Sequence, residues 1–260
     1  MPRPIDPQRL YNRFDDDLDH AMQRPIALAQ FGEFMEFAVC AEVTGTVGIE
    51  NEPINIDQIM ALVSKPYQRG ANDNSLRAAQ SALRALAHVR ATRPRYAMPT
   101  KPATDCGFIR EIHSIALDTL VSPSVLGAWR ESEIKIVMPD GSVAVQGAPP
   151  SELDQAMARW SESYDVAVYR GHRLARIADA HAEFERIRPF LEGNGRVGRL
   201  VIQAMAIESG MPFLPISKIL FERQRDYFGT LSVAQRTRQL DEWRALFAEL
   251  CIDALQLYPR

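Results

Sequence analysis

Residues Arg188-Pro-Phe-Leu-Glu-Gly-Asn-Gly-Arg-Val-Gly-Arg199 place three glycines, a carboxylate and three guanidiniums within twelve positions. Phosphate binding is the chemistry such a set can do. Gly193 and Gly195 let the backbone turn and expose amide hydrogens where a helix begins, and the helix dipole adds positive potential there. Arg196 and Arg199, three apart, share one face of that helix, with Asn194 in the turn and Glu192 just outside it as an oxygen donor for a divalent metal. Pro189 favours an extended conformation for Arg188 before it. A nucleoside triphosphate with a metal ion is the ligand such a loop suits.

The elements that must position this loop are helical almost throughout. Apolar residues recur at helical spacing at Phe31, Phe34, Met35 and Ala38, at Phe108, Ile109, Ile112, Ile115 and Ala116, and at Leu153, Ala156, Met157, Trp160 and Tyr164. A stripe of Leu174, Ile177, Ala178, Phe184 and Ile187 enters the loop, and Val197, Leu200, Val201, Ala204 and Met205 leave it, ending at Gly210 and Pro212. Weaker patterns cover 55–65 and 75–91, and a last helix runs through Trp243, Leu246, Phe247, Leu250, Cys251 and Ala254. One segment departs from this. Residues 133–137 and 142–145 alternate polar and apolar around the turn sequence Met138-Pro-Asp-Gly141, which predicts a β-hairpin. Residues 96–104, with Pro99 and Pro102, predict a loop. The fold class is therefore mainly α with one hairpin.

At 260 residues and 46% hydrophobic content, the chain can bury one large core, and no Gly/Ser or charge-block linker divides it. A net charge of −3 gives no general pull toward nucleic acid or anionic lipid, so neither is expected as a partner. No stretch reaches the ~20 apolar residues of a membrane span, and Met-Pro-Arg-Pro-Ile-Asp at the start lacks a secretory pattern, so a cytoplasmic protein is expected. Cys40, Cys106 and Cys251 are odd in number and scattered through apolar segments, which fits reduced core thiols.

The twelve-residue segment resembles the signature of the Fic (Fido) domain family, His-Pro-Phe-x-Asp/Glu-Gly-Asn-Gly-Arg-x-x-Arg. It matches at every fixed position but the first, where Arg188 stands. The resemblance implies a Fic-type helical fold with a hairpin flap, and transfer of AMP from ATP, or from another nucleotide, to a hydroxyl of a target protein with Mg²⁺ present. By the same resemblance, Gly193, Asn194, Gly195, Arg196 and Arg199 would hold the phosphates and Glu192 the magnesium. The catalytic set would be Arg188, Asn194, Arg196 and Arg199. The family histidine is the general base. An arginine, with a pKa above ~12, stays charged and only donates, so the ordinary transfer is expected to be slowed by the ~10²–10⁴-fold that a general base supplies. His181 lies on the apolar stripe two turns before the loop and is expected in the core. His113 is expected to serve helix packing.

Two further segments carry the resemblance. Gly127-Ala-Trp-Arg130 matches the Gly-x-x-Arg before the family's flap, whose edge, here Ile134, Lys135, Ile136 and Val137, would take a target segment as an added strand. Thr46-Val-Gly-Ile-Glu50-Asn51 fits the family's inhibitory pattern Ser/Thr-x-x-x-Glu-Gly/Asn and follows the 31–43 helix. There Glu50 would pair with Arg199 and obstruct the outer phosphate seat. The implied organisation is an extension at 1–30, a helical region with the inhibitory motif at 31–100, and a Fic core with flap, motif and C-terminal helices at 101–260. Residues 222–227, where family members contact adenine, diverge too far to place a nucleobase ligand. Three functions stay open: a weak or inactive adenylyltransferase, a nucleotide-binding pseudoenzyme or regulator, and an altered phosphate chemistry that uses Arg188. A homo-oligomer is compatible with each.

Overall fold

The computed structural model describes residues 6–52, 54–63, 73–93, 101–137, 141 and 143–259. Among these, the helices are α1 (Pro7–Gln23), α2 (Leu28–Ile49), α3 (Ile56–Val63), α4 (Asn74–Thr92), α5 (Cys106–Leu117), α6 (Leu153–Ser163), α7 (Arg173–Ile187), α8 (Asn194–Glu208), α9 (Ile216–Glu222), α10 (Gln224–Thr237) and α11 (Asp241–Leu255). Their starts follow capping chemistry. The carboxylates of Asp6, Asp73 and Asp105 accept backbone N–H groups of Gln8, Ser75 and Phe108, and Pro7 stands in the first turn of α1.

The α7 stripe is wholly buried, as its spacing requires. Two indoles lock α7 to its neighbours: Trp160 of α6 donates to the Ala180 carbonyl at 2.8 Å, and Trp243 of α11 to that of Ala178 at 2.7 Å. These bonds satisfy buried N–H groups while the rings fill the core. Residues before 31 join the same core. Tyr11, Phe14 and Leu18 of α1 are buried against α11, and Asp15 meets His172 and Arg173. Cys40 and Cys251 are buried, Cys106 is partly so, and all three thiols are free.

The helix expected at 31–43 is longer, and this corrects the sequence reading. α2 runs on to Ile49, so Thr46 lies in its last turns and Glu50 is its C-cap. Gly45 and Gly48 should weaken a helix there, yet tertiary docking demands them. A methyl at Gly45 would fall inside the Ser217 peptide of α9, and one at Gly48 would press on the Phe221 ring. Glu42, buried on α2, accepts the Ser217 N–H at 2.7 Å and its hydroxyl at 2.5 Å. Burial outweighs those bonds and pushes the Glu42 carboxyl up to about 7.

The hairpin pairs β1 (Lys135–Val137) antiparallel with β2 (Val143–Gln146), with Lys135 opposite Gln146 and Ile136 opposite Val145. Ile134 falls just before β1, and 138–140 of the expected turn and 142 of the expected second run lie outside the described residues, as do 96–100 of the expected loop. β2 faces α10, while the outer edge of β1 has no strand beside it among the described residues. No helix among these residues is long and apolar enough to cross a membrane.

Candidate functional site

α7 and α8 meet at the glycine loop. Pro189 was expected to keep Arg188 extended. Instead Arg188 caps α7 in the left-handed region, φ 49° and ψ 64°, with its N–H on the Phe184 carbonyl at 2.9 Å. Such a conformation costs a non-glycine residue on the order of 1 kcal/mol or more. The two feet of the hairpin hold it there. Arg130 gives its backbone N–H to Pro189 (2.9 Å), its Nε to the Arg188 carbonyl (2.7 Å) and Nη2 to that of Ile187 (3.3 Å), while the Ala148 N–H also reaches Ile187 (3.1 Å). Further bonds run from Arg130 to the Ser132 and Ala148 carbonyls. The arginine of the Gly-x-x-Arg segment is thus a clamp between flap and loop.

Phe190 anchors the middle of the loop, buried against His113 (ring centroids 3.8 Å apart) and Trp129 (4.9 Å). Asn194 folds back on it. Its Oδ1 accepts the Phe190 N–H at 2.9 Å and its Nδ2 donates to the Phe190 carbonyl at 2.8 Å, so this buried amide braces the loop. Gly193 turns at φ 75° into α8, and no side chain caps that helix start. Its first amides have no intrahelical acceptor and no capping side chain, so they form a candidate cradle for an anion.

The end of α2 sits over this cradle. Arg199, 2% exposed, donates Nε to Thr46 Oγ1 at 2.8 Å and Nη2 to the Thr46 carbonyl (3.2 Å) and to Glu50 Oε1 (2.6 Å). Asn51 then turns the chain at φ 59°, a region asparagine tolerates better than most residues. That turn brings Glu52 onto Arg196 at 2.7 Å. Both motif guanidiniums are thereby taken by carboxylates of one short segment. Burial works to raise the Glu50 carboxyl, but the Arg199 charge and hydrogen bond, helped by Arg196 and Arg188, hold it below the usual range. For Glu52, burial together with the nearby Glu50 charge outweighs Arg196 and raises it. The sequence reading missed Glu52, although a carboxylate directly after a turning Asn was its visible signal.

A cavity of about 580 Å³ opens between this segment, the flap and α10. Glu50, Arg199, Glu185, Arg188, Ile136 and Tyr227 are among its walls; Asn194, Glu192 and Arg196 are not. Of the expected flap edge, only Ile136 reaches it. Arg188 leans on Glu185, one turn earlier on α7, through Nη1 at 3.3 Å. His181 is a core residue as expected, bonded through Nε2 to the Tyr227 hydroxyl at 2.9 Å, and burial holds its pKa down to about 3. His113 takes the Gly127 N–H on Nδ1 at 2.9 Å, which leaves its Nε2–H for the Glu192 carbonyl at 3.3 Å. Burial lowers it to about 4. Glu192 itself is exposed at the loop's mouth, and the described residues hold no cluster of three or more His, Cys, Asp or Glu side chains fit for a metal.

Fold and site together define a helical protein with a glycine-rich loop between two core helices and a hairpin clamped to that loop. Residues 103–206 match the sequence model of the Fic/DOC family, so this stretch is a Fic/DOC family domain. The whole architecture agrees. A Fic family protein from Desulfovibrio desulfuricans G20 superposes with a TM-score of 0.77 at 19% identity, covering 98% of this chain and 76% of that one. Fic-1 from C. elegans gives 0.80 at 19% identity, covering 97% and 71%. A Fic domain containing signaling protein from Bacteroides thetaiotaomicron gives 0.69 at 16%, covering 95% and 97%. At such identities the likeness establishes the fold, and coverage of nearly the whole chain extends it beyond the 103–206 match, to the helices on either side.

Proposed function

We propose that this chain binds a nucleoside triphosphate, ATP by the usage of its family, at the α8 loop, and that AMP transfer to a hydroxyl of a target protein is latent in it. The observation that carries this reading is the buried Arg199 in the second turn of α8, held by Thr46 and Glu50 in the place where outer phosphates would need it. A guanidinium so buried is a strong partner for whichever anion reaches it. While Glu50 fills that position, triphosphate binding is opposed, which makes the end of α2 an inhibitory plug. Arg188 at the general-base position adds a second reason for slow transfer.

Glu192 fits magnesium only in a shared mode. A lone exposed carboxylate supplies one hard oxygen, and phosphates and waters complete the shell, as is usual for this cation. When bound, the ion would offset charge on the triphosphate. The chain's own groups do the rest: α8 amides and Arg196 receive phosphate oxygens once Glu52 yields, Asn194 keeps the loop in shape, and the outer edge of β1 offers Lys135, Ile136 and Val137 to a target segment. A regulator that binds nucleotide without transferring it is the second reading, favoured by a complete cradle beside an arginine in the base position.

Calorimetric titration of ATP and Mg²⁺ into Glu50→Gly tests the site. Measurable binding is expected, weakened at least tenfold by adding Arg199→Ala, a charged contact being worth ~1.5–3 kcal/mol. Binding that ignores Arg199→Ala would sink the reading.

A further inference from the structure

Resting on the nucleotide-transfer reading above, we propose that Glu185 is the general base of this site, the catalytic residue that replaces the side chain expected at position 188. The other candidates are spent. Arg188 has no acceptor. Both ring nitrogens of His113 are engaged, His181 lies in the core with Nε2 on Tyr227 and is not among the cavity walls, Glu50 is bound to Arg199, and Glu192 lies outside the cavity walls.

Glu185 remains. It stands one turn before Arg188 on α7, so its carboxylate rises beneath the position-188 head group, and it forms part of the cavity wall. Its side chain is 7% exposed. Oε2 meets Arg188 Nη1 at 3.3 Å, longer than the ~2.7–2.9 Å of a tight charge-assisted bond, and Oε1 has no hydrogen-bond partner. A buried carboxylate with so few donors keeps its proton affinity. Burial, aided by the Glu50 charge and opposed by Arg188 and Arg199, raises its pKa, which is the direction a base working near neutrality needs. Gly198 of α8 makes the position available, since a Cβ there would stand 2.7 Å from Oε1.

The step balances without a further reactant. The target hydroxyl oxygen bonds to the α-phosphorus as the bond from that phosphorus to the α–β bridging oxygen breaks. The hydroxyl proton passes to Glu185 Oε2. Pyrophosphate leaves with its charge on Arg199. Neutralised Glu185 then releases Arg188 to the remaining phosphate charge.

The test uses ATP labelled with ³²P at the α-phosphate and follows label on the chain, with ATP affinity measured in parallel. Glu50→Gly is expected to label itself, at a rate that rises with pH through one ionisation above the ordinary glutamate range. Adding Glu185→Gln should cut that rate by ~10²-fold or more while ATP still binds, and adding Arg188→His to that double variant should restore it. Equal labelling with and without Glu185→Gln would overturn the assignment. So would a loss that Arg188→His does not repair, which would make Glu185 a structural support. Glu50→Gly that binds ATP but never labels removes the base and leaves the nucleotide site standing; Glu50→Gly that fails to bind ATP removes both.

Discussion

The two sides of the cavity are built differently. On the side proposed to take phosphate, α8 keeps its uncapped start, its glycines and both arginines, and what covers them is one short segment: Glu50 on Arg199 and Glu52 on Arg196. On the attacking side nothing is removable. Arg188 is locked in a left-handed turn by Arg130 and Ala148, its side chain leaning on buried Glu185. On the reading proposed above, control of ligand entry is reversible, lying in a helix end held by ion pairs, whereas proton transfer depends on groups fixed in the core.

Several substitutions sharpen or break that contrast. The largest effect should come from Arg130→Ala, which strips charged donors from the carbonyls of Ser132, Ala148, Ile187 and Arg188. A loss of about 3 kcal/mol or more in urea unfolding is expected; less than about 1 kcal/mol would mean the attacking side is not fixed as described. Next comes Glu42, the anchor of the plug helix. Its folded pKa, up to about 7, lies above the unfolded value near 4.5. Protonation therefore favours the folded state, a contribution complete below about 4.5 and lost as pH rises through 7. Relative to Glu42→Gln, the unmodified chain should gain up to about 3 kcal/mol between pH 7 and 4.5. A pH-independent difference would deny Glu42 that role. The smallest effect belongs to Glu52→Gln. The pair is partly exposed, so its release should tighten ATP binding by no more than about fivefold. A gain equal to that of Glu50→Gly would make the two latches equivalent.

Much of this was legible in the chain. The α7 and α8 stripes located the loop because helical spacing and burial agree there, and Arg199 with Glu50 followed from two separated motifs that do meet. What escaped notice depended on tertiary contact. Continuity of α2 through Gly45 and Gly48 is set by α9, not by propensity. The left-handed Arg188 opposes the local influence of Pro189 and is imposed by Arg130, 58 positions away. Asn194 looked like a ligand contact, but its amide is used within the loop. Glu185 was hidden among the polar residues of an amphipathic helix, because no periodicity reveals that a carboxylate faces a cavity.

The central claim is that the end of α2 occupies a working triphosphate site. It is tested most directly by titrating ATP and Mg²⁺ into the unmodified chain and into Glu50→Gly under identical conditions. Tightening by about 10- to 100-fold on removal of the glutamate is expected, the worth of a charge-assisted contact to Arg199. Affinities equal within twofold would show that Glu50 obstructs nothing and would contradict the account.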